Sequence, residues 1–96
     1  MPTLRQIRYF LSVAELGSVT AAAGSLFVAQ PALSRQMTQL ESELGFTLFE
    51  RTPRGVTLTP AGKLYRERVR AIERQLGAAA EEGGQLARGS AGVLRL

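Results

Sequence analysis

Gln30-Pro31-Ala32-Leu33-Ser34-Arg35-Gln36-Met37-Thr38-Gln39-Leu40-Glu41-Ser42-Glu43-Leu44-Gly45 is the stretch that decides the fold. Proline suits the first turn of a helix, where its missing N–H had no partner to lose. Glycine is the usual left-handed terminator, so the spacing predicts a helix from Gln30-Pro31 to Leu44. At 100° per residue, Leu33, Met37, Leu40 and Leu44 fall within about 60° of one another, which makes a core stripe. Pro31, Ser34, Arg35 and Thr38 cluster about 140° away on the same wheel. The helix carries its acidic residues, Glu41 and Glu43, only in its later turns.

That division bears on chemistry. The N-terminal half of a helix offers free N–H groups and the positive end of the dipole, both of which favour phosphate. Gln30 has the donor and acceptor to bond an adenine edge, and Arg35 can bond guanine bidentately or grip phosphate. Ser34 is small enough to permit close approach. Taken alone, the stretch is equally an ordinary amphipathic helix with a solvated polar face, so its neighbours must decide.

Upstream, Thr3 caps a helix in which Leu4, Ile7, Phe10, Leu11 and Ala14 repeat at helical spacing, and Gly17 ends it. Ser18 caps a short helix containing Ala22, Ala23 and Leu26, and Phe27-Val28-Ala29 forms a tight link to the central stretch. Downstream, Leu48 to Thr52 and Val56 to Leu58 read as two strands around a Pro53-Arg54-Gly55 turn. Thr59 and Pro60 then restart helix as cap and first residue. This last helix is expected to run to about Gln85, with Gly83-Gly84 and Gly89-Ser90-Ala91-Gly92 loosening the chain and Val93 to Leu96 reading as a strand without a partner. The expected fold class is mainly α: a winged helix-turn-helix, with three helices and a two-stranded hairpin wing, followed by a long helix. The expected division is 1–59 for the winged unit, 60–88 for the long helix, and 89–96 for a hinge and the severed first strand of a further domain.

Composition narrows the function. The chain has 96 residues, enough for one small domain, and 45% of them are apolar, which suits a folded core. It has no cysteine, histidine or aspartate, so thiolate metal sites are excluded and Glu41/Glu43 or Glu81/Glu82 lack partners for acid–base work. An enzyme is not expected, nor is a metal or cofactor in this segment. The formal net charge is +4 and the pI about 10.7, which point to a polyanionic partner. Up to Pro60 there are five basic and four acidic residues, so most of the excess lies later and bulk charge does not mark the binding face. The start lacks the layout of a signal peptide, and no apolar run reaches the roughly 18 residues of a membrane span. A soluble, cytoplasmic protein with no membrane partner is expected.

Residues 4–62 resemble the N-terminal domain of LysR-type bacterial transcriptional regulators. The resemblance is carried by Leu4-Arg5-Gln6-Ile7-Arg8-Tyr9-Phe10, Gly17-Ser18, Ala22-Ala23, Leu26, and Gln30-Pro31-Ala32-Leu33-Ser34-Arg35-Gln36. It continues through Leu40-Glu41, Leu44-Gly45, Leu48-Phe49-Glu50-Arg51, Arg54-Gly55 and Leu58-Thr59-Pro60-Ala61-Gly62. So many spaced elements are far more specific than a single helix-turn-helix pattern. The resemblance implies that Gln30, Pro31, Ser34 and Arg35 face the major groove of double-stranded DNA, with Thr38 on the same face. It implies that Arg54 reaches the minor groove from the wing tip and that Arg51 lies near phosphate, although a local salt bridge with Glu50 or another carboxylate is an alternative for Arg51. Several positions depart from the family pattern: Ala29 stands where a serine or threonine usually caps the recognition helix, Gly24 and Ser25 replace better helix formers, and Ala21 and Phe27 replace polar residues. A lost cap costs about 1 kcal/mol, and a helical glycine about as much relative to alanine.

In the last helix Tyr65, Val69, Ile72, Leu76 and Ala79 follow the four-three spacing of a coiled-coil seam. The stripe can instead pack back on its own domain. Arg66, Arg68, Arg70 and Arg74 flank it and read as a solvated surface spread around the helix. By resemblance this is the linker helix, which pairs antiparallel with its counterpart to give a homodimer, and a dimer or a tetramer in the full-length protein. The dimer implies promoter DNA carrying an interrupted inverted repeat. The resemblance also implies a small-molecule inducer bound by a C-terminal domain beyond this segment. The competing expectation is a winged-helix module that binds protein and has lost DNA binding, in which Arg35 and Arg54 would tolerate substitution.

Overall fold

The structure, a computed structural model, describes the backbone of residues 1–94 and the side chains of residues 1–89. Helix α1 spans Leu4–Leu16, α2 Val19–Leu26 and α3 Gln30–Leu44; strands β1 (Phe49–Thr52) and β2 (Gly55–Leu58) follow, and α4 runs Pro60–Leu94. This is the winged helix-turn-helix followed by a long helix that the pattern predicts.

The helix boundaries follow from local chemistry. At α1, the Thr3 hydroxyl accepts from the Gln6 N–H at 3.1 Å while the Gln6 side chain accepts from the Thr3 N–H at 2.9 Å. This reciprocal capping box satisfies two orphan donors at once. Ser18 caps α2 by accepting from the Ala21 N–H at 3.1 Å. Helices α1 and α3 end on left-handed glycines, Gly17 and Gly45. Ala29 precedes α3 with no side-chain cap, as its residue type requires.

The core is the set of inward stripes. Phe10, Val13, Ala22, Ala23, Leu33, Met37, Leu40, Leu48 and Val69 are buried together. Phe10 is the hub: its ring centroid lies 5.4 Å from that of Phe49 and 5.4 Å from that of Tyr65. Leu44 packs on the edge of this cluster, so the whole inner stripe of α3 faces the core.

The wing pairs β1 with β2 antiparallel, from Phe49 opposite Leu58 to Thr52 opposite Gly55. A two-stranded hairpin is marginal alone, and this one is held on its flanks. The Val56 N–H donates to the Gly17 carbonyl at 3.0 Å. Gly55 beside it has φ +144, and a Cβ there would strike the same Gly17 carbonyl, so glycine is needed for both its backbone and its clearance. At the wing's base the Thr59 hydroxyl donates to the Thr47 carbonyl at 2.7 Å and accepts from the Gly62 N–H at 2.9 Å. One side chain thus caps α4 and closes the loop before β1. A Cβ on Gly62 would strike the Leu48 carbonyl, so glycine lets α4 lie directly on that loop.

Two expectations are corrected in α4. The helix does not end near residue 85 or 88: it continues through the expected hinge to Leu94, and Val93 and Leu94 are helical rather than strand. Arg95 and Leu96, the rest of that expected strand, lie outside the described residues. The glycines each cost about 1 kcal/mol in a helix, but a strand without a partner leaves its backbone groups unpaired, whereas a helix satisfies them internally. The second correction concerns the coiled-coil seam. Val69 is a core residue at 4% exposure, and Tyr65 is half-buried against Phe10. The first turns of α4 therefore complete the chain's own domain, because Phe10 offers an aromatic surface that must be covered wherever the domain folds. Ile72, Leu76 and Ala79 remain exposed.

Candidate nucleic-acid interface

The outward face of α3 is open. Gln30, Pro31, Arg35 and Thr38 are exposed and Ser34 is half-buried. The Gln30 side-chain amide donates to the Ser34 hydroxyl at 2.9 Å. That bond leaves the Gln30 carbonyl and one amide N–H directed by a fixed neighbour, the pair of groups an adenine edge needs. It also leaves the Ser34 hydroxyl hydrogen free to donate. With no cap from Ala29 and no N–H on Pro31, the N–H groups of Gln30 and Ala32 have no side-chain or intrahelical acceptor. These are the donors that suit a phosphate oxygen.

Arg51 projects from β1 and Arg54 from the turn, both exposed. Among the described residues Arg51 makes no ion pair with Glu50 or any other carboxylate, so the salt-bridge alternative is not realised. A groove between α3 and the wing is lined by Ser34, Thr38 and Glu41 on one side and Phe49, Arg51 and Val56 on the other, with Met37 and Val19 also lining it. The fold thus brings Ser34, Thr38 and Arg51 to one groove. Gln30, Pro31 and Arg35 lie on the same helix outside that groove, and Arg54 stands at the turn of the wing.

Sequence reasoning missed three polar contacts that position this face. Buried Gln6 donates to Gln36 at 3.3 Å, joining α1 to α3. Glu41 accepts from the Leu48 N–H at 2.6 Å and the Phe49 N–H at 3.3 Å. Thr59 holds Thr47, as described above. Only the Thr59 cap had a local signal; the others join residues whose separation carries no pattern. A further difference lies on α4. Lys63, Arg66, Arg70 and Arg74 line a single groove with Glu67, so these cations are not spread around the helix. Their spacing places them within about 80° of one another at 100° per residue, with Arg68 apart.

The model of the family described as "Bacterial regulatory helix-turn-helix protein, lysR family" matches residues 4–63. The chain belongs to the LysR family. This LysR-family domain is 44% identical over 90 residues to the HTH-type transcriptional regulator TcbR of Pseudomonas sp. (strain P51), covering 94% of the chain and 31% of that protein. It is 41% identical over 93 residues to the regulator TfdT of Cupriavidus pinatubonensis (strain JMP 134 / LMG 1197), covering 97% of the chain and 41% of that protein. The chain therefore spans less than half the length of these curated relatives, which are transcriptional regulators rather than enzymes. Among solved structures, the complex of the BenM DNA-binding domain with catB site 1 DNA matches with a TM-score of 0.87 and 39% identity, over 92% of this chain and 95% of that one. The complex of the CbnR DNA-binding domain with DNA matches with a TM-score of 0.83 and 42% identity, over 90% of this chain and 99% of that one. The chain is a LysR-type DNA-binding domain with a winged helix-turn-helix.

Proposed function

We propose that this domain reads double-stranded promoter DNA by sequence, as a homodimer, and so controls transcription. The observation that carries the reading is the open, acid-free N-terminal half of α3, with Gln30 held by Ser34 beside exposed Arg35. In this reading Gln30, Pro31, Ser34, Arg35 and Thr38 enter the major groove, Arg54 reaches the minor groove and Arg51 meets phosphate. An arginine on a turn suits a narrow, strongly negative groove. The likeness to domains solved with DNA supports the assignment.

Pairing rests on the exposed half of the α4 stripe. Ile72 and Leu76 are 49% and 46% exposed, Ala79 is exposed, and Leu4, at 51%, lines one cleft with Ile72 and Leu76. Antiparallel pairing of this half with a second copy presents two recognition helices to an interrupted inverted repeat, and the full-length protein then assembles as a dimer or a tetramer. A small-molecule inducer binds elsewhere in the full-length regulator, which works in the cytoplasm. Among the described residues no helix is long and apolar enough to cross a membrane.

The test is enrichment of bound fragments from a random duplex library by the native chain and by Arg35→Ala in parallel. A shared inverted repeat is expected with the native chain. Arg35→Ala should weaken binding to it by about 1–3 kcal/mol, the range for a lost base contact. Equal binding by both proteins removes Arg35 from the reading face, and no enrichment by either favours a module that binds protein.

A further inference from the structure

We infer that Glu41 is a positioning residue that sets the wing against the recognition helix, so that the hold of Arg54 on DNA depends on it. The inference rests on the DNA-binding reading above and deepens it. Glu41 lies near the end of α3, half-buried, at the edge of the groove that separates α3 from the wing. One carboxylate oxygen, Oε2, accepts both the Leu48 N–H at 2.6 Å and the Phe49 N–H at 3.3 Å. Leu48 is the last loop residue and Phe49 the first of β1, paired with Leu58 at the open base of the hairpin.

Each other tether of the wing runs elsewhere. Val56 bonds to Gly17, in the turn between α1 and α2, while Thr59 bonds to Thr47 and Leu48 at the start of α4. Among the described residues, the Glu41 carboxylate makes the only side-chain hydrogen bonds from α3 to the segment that carries the wing. Arg54 stands at the far end of a hairpin of four-residue strands, so any change of angle at its base is carried to the tip. A carboxylate is otherwise a poor choice beside a phosphate-binding face, since it repels the ligand. Its place is explained by two adjacent backbone N–H groups, for which a charged acceptor is the strongest partner.

The experiment is a mutant cycle on one duplex selected by the native chain, with amide exchange measured alongside. Arg54→Ala should weaken binding about tenfold in the native background, the scale of one good groove contact. In Glu41→Ala the same change should cost less than about threefold, because the arginine is no longer held in place. Exchange at the Leu48 and Phe49 amides should rise at least about tenfold while amides inside α1 and α3 keep their protection. Glu41→Gln, which keeps one acceptor oxygen, should restore most of the Arg54 effect. If the alanine variant unfolds, Glu41→Met retains the side-chain volume without the acceptor and should show the same loss of Arg54 dependence. An Arg54 effect of equal size with and without the Glu41 carboxylate overturns the inference and leaves DNA reading intact. A native chain that selects no duplex overturns DNA reading itself, and this inference with it.

Discussion

Phe27 occupies the left-handed backbone region at φ 58, ψ 43, and its side chain is 95% exposed. A residue with a Cβ is strained there, and the exposed ring recovers little by burial. Asparagine tolerates this conformation, so Phe27→Asn should raise stability by about 0.5–1 kcal/mol. An unchanged or lowered urea midpoint would show that the ring stabilises the turn in some other way. Tyr65 offers a pH handle. Burial raises its phenol above the ordinary 10.0, because the charged form loses hydration against Phe10 and Phe46. A raised folded-state value means that this stabilisation is complete below pH 10.0 and is lost as pH rises through the raised value. The thermal midpoint of the native chain should therefore drop further above pH 10.0 than that of Tyr65→Phe. Parallel curves for the two proteins would remove the phenol as the cause.

Helix α3 shows what its missing cap costs. Ala29→Ser should add a side-chain acceptor for the first turn and stabilise the domain by about 1 kcal/mol, read as a higher urea midpoint. No change would mean that solvent already satisfies those donors. The cap residues Thr3, Ser18 and Thr59, the terminators Gly17 and Gly45, and the core stripe of α3 were all legible in the sequence, because each acts within one turn of chain. The two strands were legible from the Pro53-Arg54-Gly55 turn between them. Glu41 was not, since its partners become neighbours only when the loop folds back beside α3. The α4 stripe was half legible. Its four-three spacing marks Tyr65 to Ala79 as apolar, but spacing alone cannot divide it between Phe10 of the same chain and another subunit. The end of α4 was misread because its glycines are a local cost, and whether a strand finds a partner is a property of the folded whole.

At the scale of the molecule, that division separates two substitutions on one stripe. Ile72→Glu should abolish pairing while leaving the helical signal and melting cooperativity of the winged unit. Val69→Glu should unfold that unit, since a carboxylate in the core costs several kcal/mol against a total stability of about 5–15 kcal/mol. Sedimentation and circular dichroism on both variants check this. Unchanged mass for Ile72→Glu would place the pairing surface elsewhere.

The junction at Thr59 gives α4 a mechanical character. The helix stands 35 residues long in a molecule measuring 63 × 26 × 22 Å, so its distal part projects past the winged unit. At 1.5 Å per residue it is a rod of about 50 Å. A tilt of about 5° at its foot swings the far tip by roughly 4 Å by that geometry. The rod is a lever whose seat is the Thr59 cap, the Gly62 contact on Leu48, and the Tyr65 and Val69 side chains packed on the core. In the proposed dimer, whatever grips its distal end can bear on the separation of the two α3 helices through that seat.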